Sequence, residues 1–289
     1  MKPLVCWAFA AAMLFCAAQA AAQPAAVVEG VQMPAWVERA GTRMPISPGM
    51  VLQPGDVIHT GPSSRLLVRL SERSLVKLGE NGQLRFTELS ATGEIFRAAL
   101  GVLEGAFRFT TDVAAKARRR DVRVSVATVT AGIRGTDFWG RSRSSDDLQV
   151  VCLIEGAVEV EAQGELPVQL DQPRQFYRRV SGKTQPIGLV EPAQLQQWAE
   201  ETEIQAGRGA ARAGGRFQVH LARLGTQDAA LAMYDQVRAA GYPAEIRPVR
   251  QAEQLVYIVR IRNLPSRAEA QALAGRLRGQ HGVTDPTVP

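Results

Sequence analysis

The stretch Thr128–Phe138 limits what this chain can fold into more than any other part of the sequence. It opens with β-branched residues, which favour an extended strand. Gly132 and Gly135 follow, and glycine permits a positive φ or a close backbone approach. We therefore predict a strand, a tight corner and a second strand that restarts with Thr136, Asp137 and Phe138.

Two charged side chains lie at this corner. Asp137 comes three residues after Arg134, close enough for an ion pair across the turn. Phe138 and Trp139 follow at once and supply apolar bulk. The corner is therefore expected to carry an ion pair and to lead directly into a hydrophobic core.

Short alternating segments on both sides of this stretch predict a body made of β-strands. Turn residues separate them, and no convincing helix pattern interrupts the region. The predicted strands are Leu66–Leu70, Ser74–Leu78, Gln83–Phe86, Leu100–Thr110, Arg123–Val126, and a hairpin of Leu148–Ile154 and Ala157–Val160 across Glu155-Gly156.

The N-terminal residues predict export. Lys2 precedes an apolar run from Leu4 to Ala18, and Ala18-Gln19-Ala20 fits a signal-peptide cleavage pattern, with Ala22 as a second cleavage point. The run is shorter than the about 20 residues that a membrane-spanning helix needs. We expect residues 1–22 to be a cleaved signal peptide, the product to be periplasmic, and no transmembrane helix to remain.

The cysteines agree with export. Cys16 raises the alternative of a lipoprotein, but Phe15 before it is too large for that processing site. Cys6 and Cys16 leave with the signal peptide, so Cys152 remains alone and no intramolecular disulfide is expected. A lone cysteine between aliphatic residues is usually a small buried hydrophobe.

The charge excludes little by itself. The formal net charge is +6 and comes mostly from arginine. Such an excess is compatible with nucleic acid, lipid headgroups or cell wall. The basic stretch Ala115–Arg123 has no interleaved aromatic residues on which bases could stack. We expect an exposed loop there and no nucleic-acid partner.

The composition changes after about residue 190. Glu191–Gln205 is rich in Glu, Gln and Ala, and predicts a helix with Pro192 in its first turn. Residues 206–215 are rich in Gly, Ala and Arg, and predict a flexible linker. The boundary between two domains is expected in this linker.

Beyond the linker the pattern predicts the order β-α-β-β-α-β. Thr226 is the expected N-cap of the first helix, and Gly241 is expected to end it. The predicted strands begin at Phe217, Ala244, Leu255 and Gly282, and the helices are Thr226–Ala240 and Pro265–Arg278.

No catalytic or metal-binding pattern is recognisable. His59, His220 and His281 are too scattered to indicate a metal site. Ser74-Leu75-Val76-Lys77 matches S-x-x-K, but it lies in a strand pattern, whereas serine–lysine enzymes place this motif on a helix. No nucleophile elbow, phosphate-binding loop or dinucleotide fingerprint occurs. We expect a non-enzyme without cofactor or metal.

The central stretch resembles the signature of the FecR domain, the periplasmic module of the ferric-citrate-regulator family. Gly55–Gly61, followed by Ser63-Ser64-Arg65, resembles the family's opening motif, while Glu72-Arg73-Ser74 replaces its usual Asp-Gly-Ser turn. The resemblance covers residues 31–188 and implies an all-β sandwich or β-helix-like stack that docks an envelope partner. The residues that carry the signature are Gly132, Arg134, Gly135, Thr136, Asp137 and Phe138.

Residues 216–289 resemble the SPOR domain, a small α+β fold similar to ferredoxin. The resemblance lies in the order of elements and in the pattern A-A-x-x-x-Y-x-x-V-x-x-A-G-Y of the first helix. It implies binding of peptidoglycan, as glycan strands stripped of stem peptides, on the open face of the sheet. His220 stands where the family usually has Gln, Arg223 where it often has Ser, and Ile258 where Arg is common. Arg262-Asn263-Leu264 replaces a Gly-Pro-aromatic turn.

Strand parity independently predicts which residues share the open face. If Phe217, Val219 and Leu221 face the helices, their neighbours in the strand face away. The same alternation applies to the third strand. This parity puts Gln218, His220, Val256, Ile258, Arg260 and Arg262 on the open face. With Arg223, which the SPOR resemblance adds, the candidate glycan-binding residues are Gln218, His220, Arg223, Ile258, Arg260 and Arg262.

Two classes of function remain open. One is a non-enzymatic periplasmic protein that binds peptidoglycan through residues 216–289 and docks an envelope protein through residues 31–188. The alternative is a signal-transduction component that resembles the FecR regulators but lacks their cytoplasmic anti-sigma segment, since only Met1, Lys2 and Pro3 precede the apolar run. Residues 189–205 are the helical segment between the two domains.

Overall fold

The computed structural model describes residues 24–91, 95–111, 119–251 and 254–289, without the side chains of residues 119, 133 and 134. The predicted signal peptide lies outside the described residues, and so do residues 115–118 of the basic stretch Ala115–Arg123, whose remaining residues belong to a strand. The Arg134 side chain also lies outside them.

Short strands follow one another through the N-terminal body. They are β1 (Ala26–Gln32), β2 (Ala35–Arg39), β3 (Thr42–Pro45), β4 (Val57–Thr60), β5 (Arg65–Leu70), β6 (Leu75–Leu78), β7 (Gln83–Ser90), β8 (Ile95–Thr110), β9 (Arg119–Val126), β10 (Val129–Arg143), β11 (Leu148–Ala162), β12 (Val168–Leu170), β13 (Gln175–Val180), β14 (Lys183–Thr184) and β15 (Gly188–Leu189).

The C-terminal part begins with helix α1 and a short strand and ends with two helices over a small sheet. Its elements are α1 (Pro192–Glu200), β16 (Ala210–Arg212), β17 (Phe217–Leu224), α2 (Gln227–Ala239), β18 (Glu245–Gln251), β19 (Gln254–Leu264) and α3 (Arg267–Leu277). The mostly β body and the small α+β unit confirm the predicted fold class.

The long strands β8 and β10 hold the body together. The first half of β8 pairs in parallel with β9 and antiparallel with β7. Its second half pairs with β6 and with β10. One strand thus belongs to two layers, and side chains from both layers meet in a single core in which Phe86, Phe96 and Phe107 are buried.

The predicted hairpin across Glu155-Gly156 is wrong. Leu148–Ala162 is one continuous strand, β11, which pairs with β10 along its length. The register shifts near Asp137 and Glu155, so both strands bulge at the same level. Gly156 has φ +87°, and a Cβ there would lie 2.3 Å from the carbonyl oxygen of Gly135. The glycine that signals a turn in the sequence instead permits a close approach of two strands.

The central stretch is likewise one strand with an irregularity. Gly135 has φ +63°, whereas the backbone at Gly132 is outside the left-handed region. Phe138 is buried beside Phe107, with ring centroids 5.5 Å apart. Trp139 points to the opposite face of β10 and belongs to a second, smaller apolar cluster. In place of the predicted corner, the strand therefore has a bulge. After it, Phe138 points into the main core and Trp139 into the smaller apolar cluster.

Residues 206–215, predicted to be a flexible linker, include an ordered strand. β16 pairs antiparallel with β1, and Ala210 and Ala211 are buried. The Glu269 carboxylate of α3 accepts hydrogen bonds from the backbone amides of Gly207 (2.6 Å), Gly209 (2.6 Å) and Ala210 (3.0 Å). Small residues permit this close packing. The domain boundaries themselves stay a prediction.

The C-terminal elements follow the predicted order up to α3. Thr226 caps α2 by accepting a hydrogen bond from the amide of Ala229 (3.3 Å), and Gly241 follows the helix with φ +87°. The sheet has the order β17-β19-β18. In place of the predicted last strand, Thr287 forms an isolated bridge with His220. The main apolar cluster extends from the body into this unit.

Candidate functional site

The six candidate residues of the C-terminal unit come together on one face of its sheet. β17 and β19 pair His220 with Arg260 and Arg223 with Ile258. The register has bulges before Val219 and before Ala222, and these bulges keep the polar residues on the side away from the helices. Val219, Val259 and Ile261 on the other side are fully buried.

Arg260 lies at the centre of this face. Its Nη1 donates a hydrogen bond to Oε1 of Gln218 at 3.1 Å, and its Nη2 lies 3.5 Å from the Glu245 carboxylate. Arg262 reaches the same carboxylate at 3.6 Å. The Arg260 Nε is buried and has no hydrogen-bond partner among the described residues. The guanidinium therefore retains capacity to donate to a ligand.

Arginine side chains flank a nearly buried isoleucine beside this centre. Ile258 lies between Arg223 on β17 and Arg247 on β18, and it is 5% exposed. Arg223 donates a hydrogen bond to Gln251 at 3.1 Å. The face thus offers apolar contact at its floor and planar donors along its sides.

The His220 imidazole is held neutral at physiological pH. Burial lowers its pKa, and the charges of Arg223, Arg260 and Arg247 lower it further. A neutral imidazole can both donate and accept a hydrogen bond. His220 can therefore pair with either a donor or an acceptor on this face.

Sequence reasoning did not name two members of this face, Glu245 and Arg247. Both lie on β18, opposite Arg260 and Ile258. The strand parity that identified the other residues would have found them, because Glu245, Arg247 and Val249 alternate in the sequence with residues of the opposite face.

The signature residues of the body occupy the bulge between β10 and β11. Thr136 is buried, and its Oγ1 donates to the carbonyl of Ala157 at 2.6 Å. Asp137 accepts two hydrogen bonds from Arg108 on β8, at 2.9 and 2.6 Å, and one from Thr110 at 3.2 Å. Among the described side chains the ion-pair partner of Asp137 is therefore Arg108, whereas the predicted pair with Arg134 involves a side chain outside them.

The segment that contains α1 lies against this part of the body. Trp198 stacks on Trp139, and Leu195 packs on the same apolar cluster. Glu203 forms ion pairs with Lys77 and with Arg108 (3.2 Å). Residues 189–205, which we name the strap, thus connect to the signature through Arg108.

The described residues offer neither a metal site nor a helix that could span a membrane. Within residues 24–91, 95–111, 119–251 and 254–289, no cluster of His, Cys, Asp or Glu could hold a metal ion. Over the same ranges, every helix is too short or too polar to cross a lipid bilayer. Cys152 is buried, and burial raises the pKa of its thiol to about 12.

Comparisons with known proteins find two families. Residues 56–159 match the family described as FecR protein, and residues 213–288 match the SPOR domain. A search of curated proteins finds no match.

Among solved structures, two crystal structures of a proposed anti-sigma factor from Parabacteroides distasonis are similar. One is 15% identical with a TM-score of 0.40 and covers 70% of this chain and 97% of its own. The other is 14% identical with a TM-score of 0.40 and covers 69% and 96%.

Proposed function

We propose that this chain, in which residues 56–159 match the FecR family and residues 213–288 match the SPOR domain, is a non-enzymatic periplasmic protein that anchors to peptidoglycan. SPOR domains bind peptidoglycan, which supports a protein that faces the cell envelope. In this proposal the ligand is denuded glycan, and its binding face carries Gln218, His220, Arg223, Ile258, Arg260 and Arg262.

The observation that carries this proposal is that the guanidinium of Arg260 is only partly satisfied by hydrogen bonds within the described residues. Among the residues that the structure describes, its buried Nε has no hydrogen-bond partner, and its ion pair with Glu245 is as long as 3.5 Å. Buried polar groups are normally satisfied. A glycan hydroxyl or acetamide oxygen on this face would accept from the guanidinium, and the neutral His220 would bond a second polar group.

Glycan binding through this face should depend on hydrogen bonds and apolar contact more than on net charge. Glycan strands without stem peptides offer mainly uncharged groups. Binding through arginine charge alone would weaken steeply with salt, because exposed charges are screened over about 10 Å at 0.1 M ionic strength. Salt dependence therefore distinguishes specific recognition from attraction to an anionic wall.

The test is cosedimentation of the mature protein with purified sacculi, with and without amidase removal of stem peptides. The whole mature chain is used because the SPOR domain shares a core with the body. The wild type should sediment better with stripped sacculi, at low and at physiological salt. Joint His220→Ala and Arg260→Ala substitution should abolish sedimentation with the fold retained. Arg278→Ala, an exposed charge beyond α3, is the matched control.

The FecR domain is proposed to dock an envelope protein. The alternative is a role in signal transduction. In that alternative the same body relays occupancy of the SPOR domain to a membrane partner. The strap supports a relay, since it runs from the SPOR side to Arg108, the partner of signature residue Asp137. Crosslinking in cells followed by mass spectrometry would identify the docked protein. A partner that belongs to a sigma-factor pathway would favour signalling.

A further inference from the structure

A cleft lies where the FecR domain meets the SPOR domain. Its volume is about 720 Å³. The body contributes residues of β1, β2 and the turns beside β5, and the C-terminal part contributes residues near the ends of α2 and α3. The glycan-binding face lies on the other side of the SPOR sheet. The cleft is therefore a separate site.

Arg65 on β5 is a buried cation that lines this cleft. Its side chain is 9% exposed, and its Nε has no hydrogen-bond partner among the described residues. Its Nη1 donates to the carbonyl of Ser64 at 2.7 Å, and the Glu80 carboxylate is 3.9 Å away. Burial lowers the pKa of Arg65, although Glu80 and Glu201 partly oppose this effect. A buried cation with so little compensation is costly unless an anion pairs with it.

A second arginine of the cleft is available to a ligand. Arg208 is exposed, and its guanidinium makes no hydrogen bond or ion pair within the described part of the chain. Arg276, by contrast, is occupied, since it donates to the carbonyls of Arg208 (2.6 Å) and Met33. Glu80 is the one acidic residue in the described lining. The cleft is therefore electropositive.

The walls of the cleft are partly apolar. Trp36 donates its indole N–H to the carbonyl of Ala239 at 3.1 Å, which fixes the ring at the domain junction. Tyr242 is buried, with its hydroxyl 3.4 Å from Arg276, and Pro34 lies beside Trp36. Aromatic and proline surfaces favour a ligand that has an apolar or ring portion beside its charge.

We propose that this cleft binds a small organic carboxylate, with the carboxylate held by Arg65 and Arg208 and the rest of the molecule against Trp36 and Tyr242. Arginine presents a planar fork that matches two carboxylate oxygens. A bound carboxylate would compensate the charge of Arg65, whose ion-pair partner among the described residues, Glu80, is 3.9 Å away. This site does not depend on glycan binding by the opposite face.

Occupancy of the cleft stabilises the junction between the two domains, because the proposed ligand contacts both. Arg65 belongs to the FecR domain, whereas Arg208 and Tyr242 belong to the C-terminal part. A ligand that binds only the docked arrangement raises the midpoint of thermal unfolding as its concentration exceeds Kd. The junction thereby becomes sensitive to a small molecule.

In the experiment the mature protein is titrated with each probe, and binding is measured by isothermal calorimetry. Tryptophan fluorescence is a second readout, since Trp36 lines the cleft. The probes are acetate, N-acetyl-alanine and muramyl dipeptide, each of which has one free carboxylate. N-acetyl-alaninamide, the uncharged counterpart of N-acetyl-alanine, is the control. We expect saturable binding of the two larger acids, weaker binding of acetate and none of the amide.

Three variants are expected to differ in their effect on the affinity for the carboxylate. Arg208→Gln should weaken binding about fivefold or more, because it removes one charged donor pair without touching the core. Glu80→Gln should strengthen binding about twofold, because it removes a competing carboxylate. Arg262→Gln, on the glycan-binding face, should leave the affinity unchanged. Arg208→Gln should also sediment with sacculi like the wild type, which separates this site from glycan binding.

Two results would overturn the proposal. One is the absence of saturable binding by all three acids. The other is equal affinity for N-acetyl-alanine and its amide, which would mean that the carboxylate is not recognised. Unchanged affinity in Arg208→Gln would exclude the cleft as the location of any binding observed.

Discussion

The indole rings of Trp139 and Trp198 stack face to face, with centroids 4.6 Å apart and planes 8° from parallel. Trp139 is on β10, directly after the signature, and Trp198 is on α1 of the strap. Phe176 contacts the edge of the same Trp198 ring, at 6.4 Å between centroids. These aromatic contacts attach the strap to the body beside the ion pairs that Glu203 makes with Lys77 and Arg108.

Trp198→Ala should release the strap. Aromatic pairs contribute about 0.5–1.5 kcal/mol beyond their burial, so we expect the free energy of unfolding to fall by about 2 kcal/mol. Hydrogen exchange should show loss of protection confined to residues 191–203. Gln196→Ala, on an exposed side of the same helix, is the control and should change stability by less than about 0.5 kcal/mol. Unchanged exchange in Trp198→Ala would mean that the ion pairs of Glu203 suffice.

Three glycine substitutions should form a graded series. Gly156→Ala adds a Cβ 2.3 Å from the Gly135 carbonyl at a residue with φ +87°, and should cost about 3 kcal/mol. Gly135→Ala meets open space and suffers only from its φ of +63°, so about 1 kcal/mol is expected. Gly132→Ala is the control, because its added Cβ would have ordinary neighbours at 3.9 and 4.0 Å.

Denaturant unfolding of the three variants measures this order directly. The same midpoint for Gly156→Ala and Gly132→Ala would show that the bulge relaxes at no cost. Gly156 would then have no special backbone role in the pairing of β10 with β11.

Glu269→Gln should make residues 206–215 sensitive to protease. The carboxylate accepts from three backbone amides, and hydrogen bonds to a charged group contribute about 1.5–3 kcal/mol each. We expect trypsin to cleave after Arg208 at least about tenfold faster under native conditions. Glu245→Gln makes the same charge change elsewhere in the SPOR domain and should leave the cleavage rate unchanged. Equal rates for both variants would contradict this role of Glu269.

His220 should make the protein less stable in mild acid. Its pKa is lowered in the folded state, so the unfolded chain binds the proton more readily. The corresponding stability is complete above the unfolded pKa of about 6.5 and is lost as the pH falls through the lowered folded value. The thermal midpoint of the wild type should therefore fall more between pH 7 and pH 5 than that of His220→Gln. Parallel curves would mean that His220 does not contribute.

The native thiol should resist alkylation. Burial raises the pKa of Cys152 to about 12, and the thiolate is the reactive form. Iodoacetamide at pH 8 should modify the urea-unfolded protein within minutes and leave the native protein unmodified over the same time. Rapid native labelling in the mass spectrum would show that the strand opens locally.

Local patterns in the sequence predicted local features well. Thr226 and Gly241 mark the ends of α2 because capping needs only neighbouring residues. Alternation along β17 placed Gln218 and His220 on the face away from the helices, since the side chains of a strand alternate with a period of two. Arg247 was missed because neither the family resemblance nor the parity argument was extended to β18.

Features that depend on distant contacts could not be predicted. Gly156 looks like a turn residue, and only the neighbouring strand at Gly135 shows that it permits a close approach. Gly209 and Ala210 look flexible in sequence, and only Glu269, about sixty residues later, shows that they are fixed. Small residues favour both mobility and tight packing, and the partner decides which occurs.

The pairing of β16 with β1 determines how mechanical load crosses the molecule. The ladder joins Gly30 to Arg212, Val31 to Ala211 and Gln32 to Ala210, and the opposite edge of β1 pairs with β5. Tension applied to the SPOR domain would therefore enter the body through β1, which is far from residue 159, where the match to the FecR family ends. Three sets of contacts would share that tension. They are the hydrogen bonds of this ladder, the bonds that the Glu269 carboxylate accepts from the amides of residues 207, 209 and 210, and the stacked indoles of the strap. The two parts of the chain are thus joined by an ordered, hydrogen-bonded connection, and a load on one part would reach the other without first extending a loose linker.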